Sequence, residues 1–177
     1  MKEDTLPKLF LRNRDLYRGK VALREKNLGI WQRVTWQSYW DHVQHFALGL
    51  KELGFKKGDK LSILGDNCRE WLYADLAAQC SSAVTVGIYP TDVASQVKYA
   101  IENSESRFVV VKDQEQTDKV LEVKGDLPLL EKIIVIDMKG LRRYRDPMII
   151  GFKAVEAIGV EAYRKAPQCF EEMVSAT

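Results

Sequence analysis

Four short runs decide the fold: Lys60-Leu-Ser-Ile-Leu64, Ala83-Val-Thr-Val-Gly-Ile-Tyr89, Arg107-Phe-Val-Val-Val111 and Lys132-Ile-Ile-Val-Ile136. Each is close to continuously apolar and rich in β-branched residues, the pattern a strand needs when helices cover both faces of its sheet. Turn residues and helical spacing lie between them. Gly65-Asp66-Asn67 leads into Glu70, Trp71, Leu72, Leu76 and Ala77, and Pro90-Thr91-Asp92 leads into a helix whose buried face is Val93, Val97, Ala100 and Ile101. Asn67 with Glu70, and Asp113 with Gln116, have the spacing of a capping box, in which two side chains satisfy N–H groups that a helix start leaves free. Strand, turn and helix repeated in this way give right-handed crossovers. The expected fold class is therefore α/β, a doubly wound, mostly parallel sheet with helices on both faces, preceded by an N-terminal helix and a β-hairpin.

Toward the amino terminus, Leu6, Leu9, Phe10, Leu16 and Tyr17 fall three and four apart, with Thr5 as a cap and Gly19 as a stop, which predicts a docking helix. Val21–Glu25 and Trp31–Thr35 alternate apolar and polar residues around Asn27-Leu28-Gly29, a hairpin signature. Trp36, Tyr39, Trp40, Val43, Phe46, Ala47, Leu50 and Leu53 then make one helical stripe, ended by Gly54. His42 and His45 fall off that stripe and read as solvated helix residues rather than metal ligands or bases. Beyond Pro147, the residues Ile149, Phe152, Val155, Ile158, Val160 and Tyr163 are apolar enough to need a partner, and no further strand is expected. The organisation is one subdomain over 1–177: helix, hairpin and helix over 1–58, βα repeats over 59–146, and a helical tail over 147–177.

The chain has 177 residues, enough for one core that buries roughly 70% of the unfolded surface. With 46% hydrophobic and 29% charged residues it is neither a disordered nor a fibrous chain. Lys+Arg 27 against Asp+Glu 25 gives a net charge of +2, too little field to capture nucleic acid as a partner. Cys68, Cys80 and Cys169 are widely spaced and far from both histidines, so neither a zinc site nor a disulfide framework is expected. Charges interrupt every apolar run of the first 19 residues, which argues against a signal peptide or a transmembrane segment. The reading is cytoplasmic.

Ligands of open parallel sheets sit at the carboxyl ends of the strands. Here those loops are Gly65-Asp66-Asn67, Tyr89-Pro90-Thr91-Asp92, Lys112-Asp113-Gln114 and Asp137-Met138-Lys139. Three of them place an aspartate within two residues of the strand end, and none clusters the glycines that let backbone N–H groups close around a phosphate. The eleven glycines form no nucleotide-binding signature, and no nucleophile has a base beside it. The aspartates read as turn and cap residues, Arg142, Arg143 and Arg145 as a solvated turn, and Cys68 and Cys80 as small apolar residues. No catalytic residue and no metal ligand is assigned, and cofactor-binding residues are left open.

Thr35-Trp36, then Phe46 to Asp59, Gly65-Asp-Asn-Cys-Arg-Glu-Trp71, Ala74-Asp75-Leu76-Ala77 and Val86-Gly-Ile-Tyr-Pro-Thr91 together resemble the amino-terminal part of the AMP-forming acyl-CoA synthetases. The pattern is nearest to the bacterial long-chain fatty-acid–CoA ligases and the bubblegum-type synthetases. Asp113-Gln-Glu-Gln116, Leu127-Pro128-Leu129-Leu130 and the run from Asp137 to Pro147 extend the resemblance over nearly the whole chain. It implies a parent enzyme that joins a fatty acid to coenzyme A through an acyl-adenylate, with ATP, Mg2+ and coenzyme A as cofactors of the parent. It also implies the remainder of the synthetase as partner, and allows peripheral membrane attachment of that longer enzyme. The family's phosphate-gripping stretch, rich in Ser, Thr and Gly and ending in Pro-Lys-Gly, does not occur in these residues. On this reading the chain alone is inactive and serves as scaffold. The alternative is a free-standing α/β module that binds a small ligand or oligomerises, self-association being suggested by the apolar tail.

Overall fold

The computed structural model describes residues 4–177; residues 1–3, part of the run weighed above as a leader, lie outside the described residues. Helix α1 (Leu6–Tyr17) starts where the Thr5 hydroxyl accepts the Lys8 backbone N–H at 3.4 Å. Strands β1 (Val21–Asn27) and β2 (Ile30–Thr35) form an antiparallel hairpin in which Asn27 pairs with Ile30, leaving Leu28 and Gly29 as a two-residue turn. Helix α2 (Trp36–Glu52) follows directly. The Thr35 hydroxyl accepts the Ser38 N–H at 3.1 Å, a cap that contributes about 1 kcal/mol.

The repeating part contains β3 (Lys60–Leu64), α3 (Arg69–Cys80), β4 (Val84–Ile88), α4 (Ala94–Ser104), β5 (Phe108–Val111), α5 (Gln114–Val123) and β6 (Lys132–Val135). A further strand, β7 (Ile149–Gly151), precedes α6 (Phe152–Lys165) and α7 (Cys169–Ser175). The strands form one parallel sheet in the order β4-β3-β5-β6-β7. The predicted α/β class holds, and the expectation of no strand after Pro147 is corrected. Three residues are too few to show periodicity, yet Ile149 and Ile150 pair beside Ile133 and Ile134. The link from β6 to β7 holds only a 3-10 turn at Leu141–Arg143, so the rhythm that revealed the earlier strands is missing there.

Because successive strand residues point to opposite faces, the sheet sorts its side chains into two cores. Leu61, Ile63, Phe108, Val110 and Ile134 face α1, α2, α3, α6 and α7, while Leu64, Val109, Val111, Ile133 and Val135 face α4 and α5. The apolar tail finds its partner within the chain. Phe152, Val155, Phe170 and Val174 are buried, the Phe152 ring stacks on Phe46 at 4.0 Å, and Phe170 meets Trp40 edge-on at 4.9 Å. Backbones touch where α2 and α6 cross. A Cβ at Gly49 would stand 2.1 Å from the Val155 carbonyl oxygen, and one at Gly159 would stand 1.7 Å from that of His45.

Three local expectations are corrected. Cys68, not Asn67, is the N-cap of α3, and it makes no side-chain cap bond. The Glu25 carboxylate reaches across from the hairpin to accept the Arg69 N–H at 3.4 Å, so a tertiary contact takes the place of the predicted capping box. Val93 is the exposed N-cap of α4 rather than part of its buried face; its N–H donates to Gln96 Oε1 at 3.2 Å. At α5 half of the predicted box forms: Asp113 accepts the Gln116 N–H at 3.2 Å, while Gln116 Oε1 is buried without a partner.

Candidate functional site at the carboxyl edge of the sheet

The chain places β4 on one side of β3 and β5 on the other, so the topological switch point lies between β3 and β5. That is where an open parallel sheet presents its ligand crevice. Here the two loops touch: a Cβ at residue 65 would lie 2.6 Å from Lys112 Cβ, so the approach of the loops requires glycine. Open space lies one strand further out. A cleft of about 460 Å3 above β3 and β4 is walled by Asp66, Asn67, Trp71, Gly87, Tyr89 and Pro90. The Trp71 ring stands over Gly87, 3.7 Å from where a Cβ would be. A second cleft of about 380 Å3, between Glu25 of the hairpin and Cys68, shares Asn67 and Trp71 with the first, so the two flank the first turn of α3. A third, of about 430 Å3, opens at the amino ends of the strands between Lys51, Phe55, Cys80 and Met173, the end where parallel sheets do not place ligands.

The electrostatics of the α3 start disfavour an anion. A helix N-terminus attracts negative charge, but Glu25 and Glu70 already occupy it, with the exposed Asp66 alongside. Burial works to raise the Glu70 carboxyl. The hydrogen bond from Arg69 at 3.0 Å, the Glu70 backbone N–H, the Arg69 charge and the Cys68 thiol outweigh it, so Glu70 is held below the usual carboxylate range and stays charged. Burial pushes the Cys68 thiol up, against the pull of the Trp71 N–H and the Lys112 ammonium, so Cys68 is a protonated thiol at neutral pH rather than a nucleophile. Triphosphate oxygens at this edge would meet carboxylates instead of N–H donors. Among the described residues no group of three His, Cys, Asp or Glu side chains is placed to hold a metal ion. The residues present therefore do not fit ATP or its Mg2+, and no chemical step is derived from them.

The other residues singled out above fall into structural places. Asp113 caps α5, and Asp137 accepts the Lys139 N–H at 3.1 Å in a turn. Arg142, Arg143 and Arg145 lie on an exposed turn, where the Arg145 guanidinium donates to the carbonyls of Arg142 and Tyr144. Cys80 is fully buried on the sheet side of α3, and burial drives its thiol far up. The histidines are not simply solvated, because α6 covers them. His42 Nδ1 lies 2.6 Å from Glu156 Oε1 with its ring stacked on Tyr73, and His45 is half-buried against Tyr163.

The profile of the AMP-binding enzyme family matches residues 10–165. The chain belongs to this family. It is 34% identical over 130 residues to the long-chain-fatty-acid–CoA ligase ACSBG2 of Xenopus laevis, covering 73% of this chain and 18% of that protein. It is 31% identical over 134 residues to the long-chain-fatty-acid–CoA ligase heimdall of Drosophila melanogaster, covering 73% and 20%. The chain thus spans about a fifth of the length of these relatives. Among solved structures, the anthranilate CoA ligase AuaEII in complex with anthranoyl-AMP superposes over 85% of this chain and 27% of its own, with TM-score 0.74 and 21% identity. The coronafacic acid ligase from Pectobacterium brasiliense superposes over 85% and 29%, with TM-score 0.75 and 24% identity. These two likenesses show the fold. Family membership was legible in the motif blocks. The approach of Gly65 to Lys112 and the carboxylates guarding α3 were not, since both depend on contacts between segments distant in sequence.

Proposed function

We propose that these residues are the N-terminal part of a long-chain fatty-acid–CoA ligase and act in it as scaffold, as a single unit over 1–177. In the parent reaction the fatty-acid carboxylate attacks the α-phosphate of ATP and releases pyrophosphate; the coenzyme A thiol then attacks the acyl-adenylate and releases AMP. ATP, Mg2+, coenzyme A and the fatty acid are bound by the parent, in the cytoplasm. The observation that carries the reading is the match in order over 10–165 to an AMP-binding family, with long-chain ligase relatives of which the matched stretch is about a fifth. The carboxylate-guarded start of α3 supports the scaffold role. Self-association is not part of the proposal, because the tail that suggested it is buried against α2.

Two assays test the two halves. ATP–pyrophosphate exchange by the 177-residue chain with palmitate is expected to equal a control without fatty acid, and exchange above it overturns the scaffold role. A chimera in which these residues replace the matching stretch of the Xenopus ligase is expected to form acyl-CoA. A folded but inactive chimera overturns the ligase assignment.

A further inference from the structure

The hairpin has two unlike faces. Cross-strand partners share a face, and so do residues two apart along a strand. Arg24 pairs with Arg33 and Lys26 with Trp31, so these four side chains stand together, all of them exposed. Leu23 and Val34, another pair, turn the opposite way toward the core, as does Glu25, which is held at the start of α3. Glu25 is the one acid between residues 20 and 35, so the outward face carries three cations and no carboxylate. No ion pair among the described residues engages Arg24, Lys26 or Arg33.

The tip is apolar where solubility and turn chemistry both ask for something else. Leu28 is 95% exposed, and Ile30 and Trp31 are exposed beside it at the tip, Trp31 on the cationic face and Ile30 on the other. Leu28 also has φ +47°, followed by Gly29 at +81°. A two-residue turn with both φ values positive favours Asn-Gly, since Asn tolerates the left-handed region better than Leu. Leucine at this position weakens the turn and exposes a whole side chain to water, and nothing in the fold compensates for either.

We propose that the hairpin is a membrane-docking finger: Leu28, Ile30 and Trp31 enter the headgroup–acyl boundary of an anionic bilayer while Arg24, Lys26 and Arg33 lie against its phosphates. Tryptophan belongs at such a boundary, with its ring in the apolar layer and its N–H in the wet one. A basic surface behind an apolar tip supplies the two signals, electrostatic and hydrophobic, that reversible lipid binding requires. An acidic peptide or a nucleic acid strand would engage the cations but leave the aliphatic tip in water, so a lipid surface accounts for both halves of the patch. The inference stands on the hairpin and does not depend on the ligase assignment.

The test is flotation of the 177-residue chain with vesicles of phosphatidylcholine alone and with 30% phosphatidylserine, at 0.1 M salt. Binding is expected to the phosphatidylserine vesicles, and to weaken as salt is raised. Lys26→Glu with Arg33→Glu is expected to lower affinity more than about 25-fold, on the order of fivefold or more for each cation removed. Leu28→Asn separates docking from folding, because it improves the turn. Its thermal midpoint is expected to equal or exceed that of the parent chain, while its vesicle affinity falls about tenfold. The proposal is overturned if both vesicle types bind equally, if neither binds, or if Leu28→Asn binds as the parent chain does. Binding of single-stranded RNA or a poly-glutamate peptide in place of vesicles overturns it as well.

Discussion

One face of the parallel sheet meets Phe46, Phe55, Phe108, Phe152 and Phe170, with Trp40, Tyr39 and Tyr73 behind them; the buried residues of the other face are Leu, Ile and Val throughout. The aliphatic face is closed by α4 and α5, each lying between the strands it covers, so its contacts arise within single βα units. The aromatic face has to gather helices from both ends of the chain, and α2 and α6, which cross in backbone contact, are about a hundred residues apart. Large flat rings bury 150–250 Å2 each, and here they sit where long loops must be closed at an entropic cost. The difference teaches that apolar residues of similar burial do different work: one face completes local units, and the other joins the termini to the sheet.

The largest expected effect comes from removing a ring at that junction. Phe152→Ala takes away the partner stacked on Phe46 and is expected to cost about 4 kcal/mol in urea unfolding. Ile133→Val, equally buried on the aliphatic face, is expected to cost about 1 kcal/mol. Normalising for the atoms removed, the comparison breaks if Phe152→Ala costs no more than an aliphatic truncation of similar volume.

Next in size is Gly159→Ala. In an open helix this change adds about 1 kcal/mol of helix propensity. The new Cβ would fall 1.7 Å from the His45 carbonyl oxygen, which belongs to a helix backbone and has little freedom to move, so α6 must shift off α2. Overpacking wins, and a net loss of about 2 kcal/mol is expected. Gly19→Ala, with nothing within 4 Å, is the control and is expected to leave stability unchanged. A stabilised Gly159→Ala would show that the helices have room to separate.

The aliphatic face could be read from the sequence because everything that specifies it is local. β-Branched runs such as Phe108–Val111 announce their own burial, and Val97, Ala100 and Ile101 repeat at helical spacing. The helices of the aromatic face were legible as elements, with Thr5 placed correctly as a cap, but their partners were not. Gly49 and Gly159 look like weak points inside helices until the two are seen facing each other, and β7 is visible only once Ile149 lies beside Ile133. At the candidate site the same division holds. Asp113 as a cap follows from spacing, whereas Glu25 at the start of α3 and Gly65 against Lys112 are contacts that no window of sequence contains.

The smallest effect sharpens the comparison through pH. His45 lies in the α2–α6 seam, where burial pushes its imidazole below the ordinary value of 6.5; the charges of Asp41 and Glu156 pull it up, and His42 pushes it further down. The unfolded chain then takes up a proton at a higher pH than the folded chain does. Stability attached to the neutral ring is fully present above about pH 6.5 and is lost as pH falls through the folded value. The buried aliphatic core contains no group that titrates in this window, so the loss should originate in the seam. Urea midpoints measured from pH 7.5 to 5 are expected to fall for the parent chain and to flatten for His45→Gln. Carboxylates held low, such as Glu70, begin to weaken the fold only below about pH 4.5, outside the measured range. An unchanged slope in His45→Gln would place the acid-sensitive step outside the helix crossing and leave the two faces alike in their response to protons.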